Sequence, residues 1–170
     1  IMNSSIDLKV CEASENHRQV FIDWGKASRI EELTCRPIIA GKRIAAETKL
    51  ITLAFFIFNS EKPVGKMSFF DFNSRNRSAE FGYMVDPAQR GRGIATQMLR
   101  LGLQKIFRDE NLNKLYCQTA EFNIPSIKLL KKSGFHLDGT LREHHELDGK
   151  LYSDLIFSIL KSEFEALENT

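Results

Sequence analysis

Three cysteines, four histidines and four prolines are spread over 170 residues. Cys11, Cys35 and Cys117 are odd in number and far apart, so the spacing holds neither a disulfide framework nor a paired-thiolate zinc site. Only His144 and His145 are adjacent, and no Cys/His set has metal-ligand spacing, so no metal is expected. Charge of either sign is scarce in net terms: 24 basic against 22 acidic side chains leave +2. That balance supplies no broad basic face, and no direct nucleic-acid binding is expected. The longest apolar run, residues 53–58, is far below the roughly 20 residues of a membrane span. No cationic stretch followed by an apolar run resembles a signal peptide. No repeat, low-complexity tract or Pro/Gly/Ser linker divides the chain. These absences predict one soluble domain over residues 1–170, in a reducing cytoplasmic compartment and away from membranes.

What is present is 42% apolar residues, arranged with readable periods. Residues 8–10 read as a short strand. Ser14 is placed to cap a helix carrying Val20, Phe21 and Trp24 near helical spacing, weakened at Gly25. Weaker helical stretches are predicted over 29–33 and 38–47. From residue 50 the period changes. "LITLAFFIF" and "VGKMSFFDF" flank the polar "NSEKP", the pattern of two antiparallel strands. "SAEFGYMV" reads as a third strand, with Phe81, Tyr83 and Val85 on one face and Glu80, Gly82 and Met84 on the other. Asp86 and Pro87 end it.

A helix follows, with Ile94, Met98, Leu101 and Ile106 on its apolar stripe. "KLYCQTA" is a further strand. Pro125 suits the first turn of another helix, with Asn123 as a candidate cap, and Gly134 suits its end. Asp148-Gly149 then joins two alternating segments into a hairpin. The order is a mixed α+β domain, not the repeated strand–helix alternation of a dinucleotide-binding fold.

The junction Arg90-Gly91-Arg92-Gly93 sits between a strand and a helix. It is too short for a nucleotide P-loop, and no Lys-Ser or Lys-Thr follows it. A helix N-terminus nevertheless offers unpaired amides and positive potential. Gly91 and Gly93 would let an anion approach those amides without a β carbon in the way. Arg90 and Arg92 add charge-assisted donors. The alternative is a tight turn with solvated arginines.

Arg90-Gly91-Arg92-Gly93-Ile94-Ala95 resembles the acyl-CoA loop of the GCN5-related N-acetyltransferase (GNAT) superfamily: Gln or Arg, two free positions, Gly, one free position, then Gly or Ala. Further matches occur in order: Glu80-Phe81-Gly82-Tyr83, Asp86-Pro87, Asn123-Ile124-Pro125-Ser126, Gly134-Phe135, Asp138-Gly139, and a hairpin with Gly149 and Asp154. This set looks like the branch containing the ribosomal-protein alanine N-acetyltransferases, over nearly the whole chain and most clearly residues 50–160. The resemblance implies a three-layer α+β fold, in which helices flank a mixed, strongly bent central sheet. Its fourth and fifth strands, 79–85 and 114–120, would splay to admit the pantetheine arm of acetyl-CoA. Main chain at Met84 and Val85 would pair with that arm. Arg90, Gly91, Arg92, Gly93, Ile94, Ala95 and Thr96 would hold the pyrophosphate, and Asn123 and Ser126 would approach the thioester. The implied reaction is acetyl transfer to a primary amine, either a protein N-terminus or a small molecule, by a monomer or homodimer. A noncatalytic acyl-CoA-binding or regulatory protein is the alternative.

Such a transfer needs a neutral amine, hence a base, and donors for the developing oxyanion. Glu80 is the preferred base, on the strand face shared with Gly82; the competing reading is an exposed or ion-paired strand residue. His145 aligns approximately with a family position occupied by a catalytic glutamate, and imidazole titrates in a suitable range. Simple surface placement is the alternative. Glu143 and Glu146 offer the same service. Leu130 stands where many superfamily members carry a tyrosine as leaving-group acid. By resemblance to the ribosomal-protein branch that role passes to Ser126, which otherwise only caps a helix. Asp154, with Glu143 and His145, is a candidate for orienting the acceptor amine, or else it fixes the hairpin.

Overall fold

The structure is a computed structural model that describes residues 6–28, 49–73 and 76–169. Cys35 and the helical stretches expected over 29–33 and 38–47 lie outside the described residues. The branched and aromatic runs form the strands that their alternation implies. β1 (Leu8–Glu12), β2 (Ile51–Ile57), β3 (Pro63–Asn73) and β4 (Ser78–Val85) make an antiparallel meander. β5 (Lys114–Ala120) runs parallel to β4. The last two strands, β6 (His136–Leu147) and β7 (Lys150–Leu160), form the hairpin, and β7 lies between β5 and β6. The result is a mixed sheet in the order β1-β2-β3-β4-β5-β7-β6. At the hairpin tip Asp148 and Gly149 both have positive φ, 53° and 76°, the mirror-image turn that matches strand twist.

Both faces of the sheet are covered, which is why its central strands lack polar alternation. On one face, Leu53, Phe55, Met67, Phe81, Leu115 and Phe157 pack against α2 (Ile94–Asp109), through Ile94, Met98, Leu103 and Ile106. Leu130 of α3 (Ile124–Lys132) and Phe164 of α4 (Lys161–Glu168) join the same core. On the other face, Ala54, Phe56 and Met84 meet Phe21 and Trp24 of α1 (Arg18–Ala27). The three-layer α+β arrangement is the one expected. α1 begins three residues later than the sequence suggests, because Glu15–His17 forms a 3-10 turn first. α4 has no counterpart in the sequence reading. Phe164 is its one buried residue, so its apolar stripe is too thin to register. Contacts fix it instead: Glu163 accepts from the Leu160 amide at 2.8 Å, and the Phe107 and Phe164 rings lie 5.7 Å apart.

Asp138 ties three strands together. Its carboxylate accepts from Ser158 Oγ on β7 at 2.7 Å and from the Lys114 ammonium on β5. The Lys114 and Ser158 hydrogen bonds hold the Asp138 carboxyl below its ordinary value, outweighing desolvation. Its contribution is therefore complete above the unfolded carboxylate range near pH ~4 and disappears as pH falls through the lower folded value. Asp138→Asn is expected to lower stability at pH 7 by about 1 kcal/mol or less, given the partial exposure. The difference from wild type in urea titrations should shrink toward pH 2. An equal difference at both pH values would reject this role.

Candidate active site

The pairing of β4 with β5 is brief. Ser78 opposes Lys114, Ala79 opposes Leu115 and Glu80 opposes Tyr116, and there the parallel ladder stops. β4 continues to Val85 on the β3 side, opposite Gly65, while β5 continues to Ala120 on the β7 side, opposite Asp154. Each strand keeps its outer partner, so the two part along their shared edge. A cavity of about 560 Å³ lies in the opening. Its walls are Phe81 to Val85 of β4, Cys117 to Thr119 of β5, and Phe122, Asn123, Pro125, Ser126 and Leu129 around the start of α3.

The cavity runs on to the Arg-Gly-Arg-Gly loop, where Gln89, Arg90, Gly91, Gly93, Ile94 and Ala95 line it. Asp86 starts the loop by accepting from the Ala88 amide at 3.0 Å. Gly91 and Gly93 have φ of 77° and 79°, a region costly to residues with a β carbon. A β carbon built at either position would meet no atom within 4 Å. Packing therefore does not demand these glycines; the backbone conformation and the open space beside it do. Gly93 caps α2 without any side-chain cap, so first-turn amides are left for an external acceptor. This donor set suits a diphosphate. Arg90 is braced by a 2.9 Å hydrogen bond from Nη2 to Ser28 Oγ at the end of α1.

At the other end, Asn123 caps α3, its side chain accepting from the Ser126 amide at 3.5 Å. Ser126 Oγ lies 2.6 Å from the Tyr83 hydroxyl. Burial pushes the Tyr83 phenol well up, and the Ser126 hydrogen bond offsets part of that. Burial, with the nearby Glu80 charge, likewise raises the Cys117 thiol, leaving it an inert wall residue.

Met84, Val85, Arg90, Gly91, Gly93, Ile94, Ala95, Asn123 and Ser126 thus share one cavity. Other expected residues do not line it. The Arg92 guanidinium turns back onto the Gln89 side chain, and Thr96 lies exposed on α2. Glu80 is 4% exposed and sits where the strands part, one residue below the cavity wall. It is buried, contrary to the competing reading of an exposed strand residue. His144 and His145 do take opposite environments: His144 is exposed and His145 is buried. His145 lies behind Phe122, whose ring meets it edge-on at 5.4 Å. Its Nδ1 is 3.7 Å from Asp154 Oδ1. Asp154 is fully buried, and among the described residues neither carboxylate oxygen has a hydrogen-bond partner. Glu143 has φ of 50° in the irregular stretch between Leu141 and His145, and it lines a separate shallow groove. Leu130 is wholly buried in the core, so α3 sends no hydroxyl inward from that position.

The sequence reading missed Tyr83, Gln118, Thr119 and Phe122 as cavity residues. Their available signal was position: Tyr83 lies between Gly82 and the loop, and the other three cluster at the end of β5. Among the described residues no group of three His, Cys, Asp or Glu side chains could hold a metal. Among them, too, no helix is long and apolar enough to cross a membrane.

A sheet opened between parallel strands, with a glycine loop and an uncapped helix start at one end, is a site suited to a long ligand that carries a diphosphate, as an acyl-CoA does. The family profile for the acetyltransferase (GNAT) domain matches residues 12–136, and the chain belongs to that family. N-acetyltransferase p20 of Bacillus licheniformis is 27% identical over 71% of this chain and 68% of its own length. The spermidine N(1)-acetyltransferase of Escherichia coli K12 is 27% identical over 62% of this chain and 57% of its own length. The chain thus spans little more than half to two thirds of these relatives. The crystal structure of spermidine N-acetyltransferase from Vibrio cholerae, in complex with CoA and spermine, superposes with a TM-score of 0.80. It covers 93% of this chain and 98% of that one at 20% identity. These likenesses correct the expected branch. They point to the spermidine acetyltransferases rather than to the ribosomal-protein alanine enzymes. The motifs behind the earlier assignment, the glycine loop and the Asn123 helix start, build the donor site that the superfamily shares and carry little about the acceptor.

Proposed function

We propose that the chain transfers the acetyl group of acetyl-CoA to a primary amine by direct attack in a ternary complex, and that the acceptor is a small polyamine. The carrying observation is the opening between β4 and β5, which leads from the glycine loop to Ser126. In this reading the amides of residues 91–95 take the diphosphate, and the free edge of β4 at Met84 and Val85 pairs with the pantetheine amides. Val85 N–H is the oxyanion donor. Glu80, at the base of the opening, removes the amine proton through water, and Asn123 and Ser126 face the thioester sulfur.

The names of the E. coli and V. cholerae relatives support a polyamine acceptor. So does the placement of Asp154, a buried side chain with His145 Nδ1 3.7 Å away and, among the described residues, no hydrogen-bond partner on either carboxyl oxygen. A buried anion without hydrogen bonds is costly and favours a cationic ligand in its vicinity. Thiol release from acetyl-CoA should be measured with spermidine, with Ala- and Ser-initiated peptides, and without acceptor. Spermidine should give the fastest release, at least tenfold over the peptides. Release with peptides alone would reject the polyamine. CoA binding without release from any acceptor would favour a regulatory acyl-CoA-binding protein, the reading that the loss of the usual tyrosine at Leu130 supports.

A further inference from the structure

We propose that Tyr83 is a positioning residue of the transfer step: its hydroxyl donates to Ser126 Oγ and leaves the serine proton free for the departing sulfur. This inference rests on the acetyl-transfer reading above. The two hydroxyls are 2.6 Å apart, a short contact that joins β4 to the first turn of α3 across the opening. Both residues line the cavity. The Tyr83 hydroxyl makes no other hydrogen bond among the described residues. One of the two oxygens must donate, and the consequences differ. If Ser126 donated to Tyr83, the serine would have no proton left for the sulfur. If Tyr83 donates, Ser126 accepts one bond and keeps its own O–H for another partner. Hydrogen bonds in series also polarise one another, so a serine that accepts from a phenol becomes the better donor.

The ring is held in place for this task. Tyr83 stacks against Phe81 at a centroid distance of 6.2 Å, and Phe81 in turn packs on Phe69 and Phe135. Burial keeps the phenol protonated beyond its ordinary range, so its donor role persists across neutral and mildly alkaline pH. Leu130 closes the usual position for an acid on α3, and Tyr83 reaches the same end of the cavity from the opposite strand.

The step balances as follows. The amine nitrogen bonds to the acetyl carbon and the carbon–sulfur bond breaks, its electron pair staying on sulfur. The Ser126 Oγ proton moves to that sulfur, and the Tyr83 proton follows along its hydrogen bond to Ser126 Oγ and is replaced from solvent. The amine releases one proton to the base.

The test is a double-mutant cycle with the acceptor that turns over fastest. Tyr83→Phe keeps the ring and removes the hydroxyl. It should lower kcat about tenfold, a fraction of full acid catalysis, with KM for acetyl-CoA within about twofold. Ser126→Ala should lower kcat at least as far, and the double variant should be no slower than Ser126→Ala alone. Ser126→Thr, which keeps the hydroxyl, should stay within about threefold of wild type, and a thermal melt of Tyr83→Phe guards against a folding defect. Wild-type kcat in Tyr83→Phe, multiplying effects in the double variant, a loss confined to KM, or equal losses for Ser126→Thr and Ser126→Ala would each overturn the inference. An inactive wild type would instead defeat the acetyl-transfer reading itself.

Discussion

Gly93→Val is expected to weaken CoA binding at least 100-fold while the protein stays folded. Position 93 has φ of 79° and caps α2. An L-residue pays roughly 1–2 kcal/mol there, and a β-branched one more. The chain relieves that strain by rotating the peptide, which turns the first-turn amides away from their common target. The valine methyls also enter space where no protein atom lies within 4 Å of a β carbon, the space assigned to the diphosphate. Blocked approach and lost donors together need supply only about 3 kcal/mol for a 100-fold effect. Calorimetry with CoA reads the affinity, and a thermal melt checks the fold. Unchanged affinity in a folded variant would mean that the loop is a turn and nothing more.

The second large effect concerns stability. Phe157 is fully buried at the middle of β7, opposite Cys117 of β5 on one side and Leu137 of β6 on the other. It belongs to the core shared with α2 and α4. Phe157→Ala removes most of an aromatic side chain where strands on both sides prevent collapse. A cost of about 3–5 kcal/mol is expected. For a domain of this size that corresponds to a fall in Tm of roughly 6–20 °C. Urea unfolding measures the free-energy change directly. A loss below about 1 kcal/mol would show that the core repacks around the gap. β5 forms one wall of the cavity, so the variant should also reveal how far the opening depends on the hairpin for support.

Local chemistry made much of this molecule readable. Asp148-Gly149 specifies its turn by itself, Pro125 and Asn123 mark a helix start, and the double glycine marks a ligand-facing loop. Each of these depends on neighbours in the chain. The opening between β4 and β5 does not, because it arises from a parallel ladder that stops after Glu80 and Tyr116. Alternation along β4 gave Tyr83 a face shared with Phe81 and Val85 but not its depth, so nothing in the sequence set it on the cavity wall. His145 was readable as buried or exposed, but only the packing of Phe122 against it reveals what stands between it and the cavity. The acceptor was the least legible part. The motifs that carry the family resemblance serve the acetyl donor, and the branch chosen from them had to be corrected by comparison with whole relatives.

The central claim is that CoA enters the opening between β4 and β5 with its diphosphate on the loop amides. Backbone amide NMR of the protein, recorded with and without CoA, tests it most directly. The expected result is large shifts at Gly91, Gly93, Ile94 and Ala95, continued by shifts at Met84, Val85, Gln118 and Asn123. Saturable binding that left these amides unmoved and perturbed another surface would contradict it.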